Sequence, residues 1–217
     1  MERNENYIAV ISGDIVKSTK LSTEEYSDLL KRIKAIQDLI SKDYNGNSSV
    51  ILRGDEFQFI VLNPEKSLIY ALIIKVAIKA LGKQFDSRIS FAIGQGADLG
   101  ESIHESMGEA FTLSGRRLKE MKSERFVFTA AGSIAISQEF QLLFQYLDKQ
   151  LSDLSTRQCE VLLPVLQAGR TPSLKDLSEK LDVTGPTISV SLKTSGYHLM
   201  NELNMLFVDK FKGLNDD

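Results

Sequence analysis

Residues 51–59 read ILRGDEFQF, a charged bend of Arg53, Gly54, Asp55 and Glu56 set between two short apolar runs. The flanks, "SVIL" and "FQFIVL", are rich in β-formers, and a glycine-bearing turn between them predicts a β-hairpin. Two adjacent carboxylates at such a bend have two readings. Aspartate is common at turns, where its side chain caps local amides, and it is also a ligand for hard cations. The second reading needs another carboxylate brought in from a distant part of the chain.

Working outward, "YIAVIS" (7–12) is an unbroken apolar run stopped by Gly13 and Asp14, which predicts a buried strand. Ser22 with Glu25 three residues on is a capping-box signature, and Tyr26, Leu29, Leu30, Ile33, Ile36, Leu39 and Ile40 follow at helical spacing. After the hairpin, Asn63 and Pro64 supply an N-cap and first-turn proline for a helix to about Gln84. "RISFAIG" reads as a strand ended by glycines, "GEAFTLSGRRLKEMK" as mostly helix and "RFVFTA" as a fifth strand. That order predicts an α+β fold with the split β-α-β, ferredoxin-like arrangement, an antiparallel sheet taking helices on one face. Its first strand is central and antiparallel to the second hairpin arm. Asp14 and Asp55 therefore converge at one sheet edge, as a carboxylate pair suited to Mg²⁺ shared with substrate phosphates. Glu56 is expected on the opposite face from Asp55.

These residues carry a family resemblance. "SGDIVKST" (12–19) resembles the first metal-binding segment of class III nucleotidyl cyclases, and "RGDEFQF" resembles their second and the signature turn of diguanylate cyclases. "RISFAIGQG" looks like their next strand, and "GEAFTLSGRRL" (108–118) sits where they carry an asparagine and arginine helix. The whole chain most closely resembles the SatD family, which joins a cyclase-like domain to a C-terminal helix-turn-helix. The resemblance implies Mg²⁺ or Mn²⁺ on Asp14 and Asp55, with the Ile15 backbone as an extra ligand. It also implies a nucleoside triphosphate or related nucleotide, phosphate contacts from Lys17 and Ser18, and Arg116 stabilising charge on the transferring phosphorus. Arg116 and Arg117 have the alternative of a solvated helix face. Thr112 stands where the cyclase helix carries its nucleotide-binding asparagine, and Ile51 where a lysine reads the base. Both departures reduce transition-state contacts, so binding is better supported than turnover.

The resemblance divides the chain into a cyclase-like domain (1–131), a connecting helix (132–153) and a helix-turn-helix domain (154–217). The connector shows Phe140, Leu143, Phe144, Leu147 and Leu151 on one stripe, either packed on its own domain or forming a dimer seam. Then "STRQCEVLLPVLQAG" ends at Gly169, "SLKDLSEKLDV" is a second helix and "GPTISVSLKTSG" a third with Pro186 in its first turn. Val183, Ile188 and Leu192 face inward, leaving Thr184, Thr187, Ser189, Ser191 and Lys193 outside as DNA-contact candidates. From residue 151 onward there are 7 basic and 9 acidic residues, against the positive charge that phosphate neutralisation needs. A homodimer reading paired half-sites compensates, and a protein-contact use of the same helices is the alternative.

Composition sets the frame for these readings. The chain has 217 residues, 42% hydrophobic and 25% charged, with a formal net charge of −3. That is globular composition with no electrostatic sign of a nucleic-acid or membrane partner. Cys159 is alone, "MERNENY" lacks a secretory core, and Lys75 and Lys79 interrupt "SLIYALIIKVAIKAL", so a cytoplasmic protein is expected. Gly94, Gly96 and Gly100 miss the dinucleotide spacing and read as a strand-ending turn, while His104 and His198 have no zinc companions. The leading expectation is a transcription regulator whose cyclase-like domain senses a metal-bound nucleotide. The alternatives are an active Mg²⁺- or Mn²⁺-dependent nucleotidyl cyclase, which would be a phosphorus-oxygen lyase, or a nucleotidyltransferase, and a non-catalytic protein-interaction scaffold.

Overall fold

A computed structural model describes residues 6–52, 54–98, 107–168 and 172–215. Arg53, Gly100, His104 and Gly169 lie outside the described residues. The first strand, β1 (Tyr7–Ile15), occupies the centre of a mixed sheet, antiparallel on one side to β3 (Glu56–Val61) and on the other to β4 (Ser87–Asp98). β2 (Ser48–Ile51) pairs antiparallel with β3 as the outer hairpin arm. β5 (Met107–Gly108) and β6 (Phe126–Ala130) both pair with β4, the latter in parallel.

Period-two burial assigns the two faces. Ala9, Ile11, Ile15, Phe57, Phe59, Val61, Ile89, Phe91 and Ile93 join one core with α1 (Thr23–Asp43) and α2 (Ser67–Lys79). Ile8, Val10 and Ile60 face the other way and meet Ala110 of α3 (Glu109–Glu120), so helices cover both faces rather than one. The Ser22–Glu25 capping box of α1 forms in both directions.

Three local expectations are corrected. β1 does not stop before Gly13. It runs on to Ile15, and Gly13 is required because a Cβ there would lie 2.4 Å from the Phe57 ring. Gly94 and Gly96 likewise sit inside β4, where they admit the Ala110 backbone and the Ile8 side chain. Asn63 and Pro64 open only a short 3-10 turn (Pro64–Lys66), and the α-helix begins at Ser67.

The C-terminal part comprises α4 (Gln138–Asp153), α5 (Thr156–Gln167), α6 (Leu174–Leu181), α7 (Gly185–Thr194) and α8 (Tyr197–Phe211). α4 buries Phe144, Leu147 and Leu151, while Leu143 turns outward with 41% exposure, off the expected stripe. α5 packs on α2, and α8 returns to the sheet. Phe207 of α8 stands 5.2 Å from Phe128 and 6.1 Å from Phe91, ring centre to ring centre. Asn215 then exchanges two hydrogen bonds with the Tyr7 backbone, at 2.7 and 2.9 Å. A smaller cluster of Val161, Val165, Leu177 and Ile188 holds α5, α6 and α7 together.

Candidate functional site

The hairpin bend and the end of β1 meet as the topology requires. The Ile15 amide donates to the Asp55 carbonyl at 3.0 Å and the Val16 amide to the Asp86 carbonyl at 2.9 Å. Lys17 then takes a left-handed conformation, φ 57°, an uncommon backbone region for a residue with a Cβ, and leads into the 3-10 turn Ser18–Lys20. From that turn the Ser18 hydroxyl donates to Asp55 Oδ2 at 2.6 Å. Gly54 has φ 82°, and its carbonyl accepts from the Tyr26 hydroxyl at 2.5 Å, so α1 braces the bend.

Strand register supplies the rest. Asp14 lies opposite Glu56 on β3 and Arg88 on β4, and directly opposed residues share a sheet face. Arg88 grips Asp14 bidentately, Nε to Oδ1 at 2.9 Å and Nη2 to Oδ2, and this bond raises the guanidinium pKa above its ordinary value. Asp14, Lys17, Ser18 and Asp55 line one cleft of about 380 Å³. Arg88, Lys122 and Arg125 complete its cationic wall, and Glu56 joins the lining.

A buried lysine stands behind the Lys17 turn. Lys75 is fully buried, its ammonium 2.7 Å from Asp86 Oδ1 and also bonded to the Ser87 carbonyl. Burial lowers its pKa and Asp86 opposes that shift. The Asp86 carbonyl is the acceptor that holds Val16, so this ion pair sets the height of the Lys17 turn. Behind Arg125 and outside the cleft, Asp148 accepts the Arg125 amide at 3.0 Å, and burial raises its carboxyl pKa. A larger cavity of about 760 Å³ lies between β6 and α4. Its Arg117 pairs with Glu124 at 3.1 Å and its Asp148 accepts the Arg125 amide, whereas the smaller cleft holds Lys17 and Lys122, which have no acidic partner among the described residues.

Of the residues named from sequence, Asp14, Ile15, Lys17, Ser18 and Asp55 are brought together in that cleft. Thr112 and Arg116 are not. Both are exposed on α3 and absent from the cleft's lining, and Thr112 Oγ1 donates back to the Gly108 carbonyl at 3.2 Å. Glu56, expected on the opposite face from Asp55, sits across from Asp14 and also lines the cleft. Sequence reasoning missed Arg88, Lys122 and Arg125. The signal for Arg88 was a charged residue opening an apolar strand, in antiparallel register with Asp14. Among the described residues no group of three or more His, Cys, Asp or Glu side chains gathers to hold a metal. Cys159 is buried and its thiol pKa is pushed up to about 11, which makes it packing rather than a nucleophile.

In the helical part, Thr184 stands at the N-cap position of α7 without a side-chain capping bond, and its hydroxyl lies 2.9 Å from that of Thr187. Thr187, Ser189 and Lys193 are exposed and Ser191 is half-buried. The α6–α7 turn passes through Asp182 at φ 51° and is closed by a Ser178 hydroxyl bond to the Val183 carbonyl. Among the described residues no helix is long and apolar enough to cross a membrane.

The fold and site together define a mixed α+β protein with a central-strand sheet and a polar cleft where β1 meets the hairpin bend. No family model and no curated relative matches the chain. Among solved structures it is similar to the catalytic core of a rhodopsin-guanylyl cyclase with converted specificity in complex with ATPαS. That likeness has 20% identity, 54% of this chain and 74% of that one, and a TM-score of 0.44. It is similar also to the guanylate cyclase domain of RhGC from Catenaria anguillulae in complex with GTP, with 20% identity, 54% and 75% coverage and a TM-score of 0.42. The guanylyl cyclase Cya2 gives 16% identity, 56% and 74% coverage and a TM-score of 0.40.

Proposed function

We propose that the chain is a regulator in which the cleft binds a nucleotide through its phosphates and the α6–α7 helices contact DNA. The observation that carries the first half is the convergence of Asp14 and Asp55 with Lys17, Arg88, Lys122 and Arg125 in one cleft. Guanidinium and ammonium groups are phosphate donors, Arg through paired N–H bonds and Lys as a point charge. Asp14 and Asp55 offer hard oxygen ligands, which fit Mg²⁺ or Mn²⁺ held by few protein groups and completed by phosphate. When bound, such a cation would neutralise phosphate charge. The chain's own residues orient the ligand: the Lys75–Asp86 pair fixes the Lys17 turn, and Ser18 positions the Asp55 carboxylate.

The exposed positions of Thr112 and Arg116, away from the cleft, favour binding over turnover within one protomer. An active cyclase would need Arg116 from a second copy. Incubating the protein with ATP or GTP and Mn²⁺ separates the two readings. No cyclic or linked product is expected, and a product abolished by Asp14→Ala would replace the regulator with the enzyme.

The second half rests on the short α6, the tight turn at Asp182 and the hydroxyl-rich start of α7, an arrangement suited to groove entry. A mobility shift on DNA upstream of the coding sequence tests it. Thr187→Asp is expected to weaken the shift at least tenfold with the helical content unchanged, because an added carboxylate opposes phosphates. Equal shifts would remove α7 from DNA contact and leave a protein partner for that surface.

A further inference from the structure

We propose that Arg88 is an internal counter-cation that keeps free divalent metal off Asp14 and yields the position only when an incoming phosphate offers its guanidinium another anion. This rests on reading the cleft as a metal–nucleotide site and specifies how that site is loaded.

Both Asp14 oxygens are occupied by Arg88, Nε at 2.9 Å on Oδ1 and Nη2 on Oδ2. The pair is partly withdrawn from water, with side-chain exposures of 17% for Asp14 and 32% for Arg88. A planar guanidinium matches a carboxylate edge to edge and is weakly hydrated, so it competes well for that partner. Mg²⁺, by contrast, gives up its own water reluctantly. Asp55 is engaged as well, through the Ser18 hydroxyl at 2.6 Å.

The charge balance of the cleft points the same way. Lys17, Arg88, Lys122 and Arg125 face Asp14, Asp55 and Glu56, an excess of one positive charge before any ligand arrives. Among the described residues the ammonium groups of Lys17 and Lys122 have no acidic partner within ion-pair distance. A bare divalent ion therefore enters against a net positive wall and must also displace or crowd a guanidinium. A cation accompanied by a phosphate chain reverses the sign, because the anion takes Arg88 and satisfies Lys17 and Lys122 while freeing Asp14. Metal and nucleotide are then coupled ligands, each raising the affinity of the other by the same factor.

The test is Mn²⁺ titration of the full chain, read by the electron spin resonance signal of free Mn²⁺, with and without a non-hydrolysable triphosphate. Wild type is expected to take up Mn²⁺ alone weakly, and Arg88→Gln at least tenfold more tightly. The Arg88→Gln, Asp14→Asn double variant should lose that gain, which places the added ion on Asp14, and melting temperatures close to wild type exclude misfolding. Equal Mn²⁺ uptake by wild type and Arg88→Gln without nucleotide would overturn the proposal, as would a gain that survives Asp14→Asn. If Arg88→Gln gains Mn²⁺ while the triphosphate changes nothing in wild type, the guard on Asp14 stands and the nucleotide reading falls.

Discussion

A Cβ at position 13 would sit 2.4 Å from the Phe57 ring and 2.8 Å from the Arg88 carbonyl, so the strand that carries Asp14 closes against its neighbours only with glycine there. Overpacking of this kind costs about 1–3 kcal/mol. Gly13→Ala is therefore expected to lower the unfolding free energy by that amount, seen as a lower urea midpoint, and to loosen the Asp14–Arg88 pair beside it; an unchanged midpoint would contradict the packing account. Asp14 and Asp55 were legible before the fold because carboxylates at a strand end and a turn stand out in sequence, and topology alone brings them together. Arg88 was not legible. Its role depends on the register of β1 against β4, and a shift of one residue would put it on the other face. Thr112 and Arg116 illustrate the reverse: their helical spacing was readable, but the direction they face depends on which side of α3 lies on the sheet.

At the scale of elements, α8 is the piece that turns sequence periodicity into tertiary structure. Phe207 is fully buried and lies 4.5 Å from Phe211, 5.2 Å from Phe128 and 6.1 Å from Phe144, ring centre to ring centre. Removing a buried phenyl group costs about 3–5 kcal/mol. Phe207→Ala should produce that loss in chemical denaturation, and because its neighbours belong to β4, β6 and α4, sheet and helix signals should shift together. A helix signal that shifts alone would mean that α8 is only loosely attached. The amphipathic helices and the hairpin could be read from their spacing because apolar period and burial agree. β4 was misread because Gly94 and Gly96, normally punctuation, serve a close approach of α3 and Ile8 that only tertiary packing creates.

For the whole molecule, the continuous core running from Ile11 through Phe91 and Phe144 to Phe211 joins the sheet to the C-terminal helices. Lys79 bonded to the Ser152 carbonyl at 2.9 Å and Asn215 bonded to Tyr7 add polar ties across the same boundary. In the proposed regulator, a ligand that reordered the Lys17 turn would act on a chain in which Asp86 is bonded to Lys75 of α2 and α2 packs on α5. Ligand binding shifts such a system only through contacts that differ between its states. The proposed nucleotide-sensing half of the function depends on the cleft accepting phosphate. Calorimetric titration of ATP and of GTP with Mn²⁺ into wild type and Asp55→Asn tests this most directly. Saturable binding of at least one nucleotide by wild type, weakened tenfold or more in the variant, is the expected result; no heat with either nucleotide, or equal binding by both proteins, would contradict it.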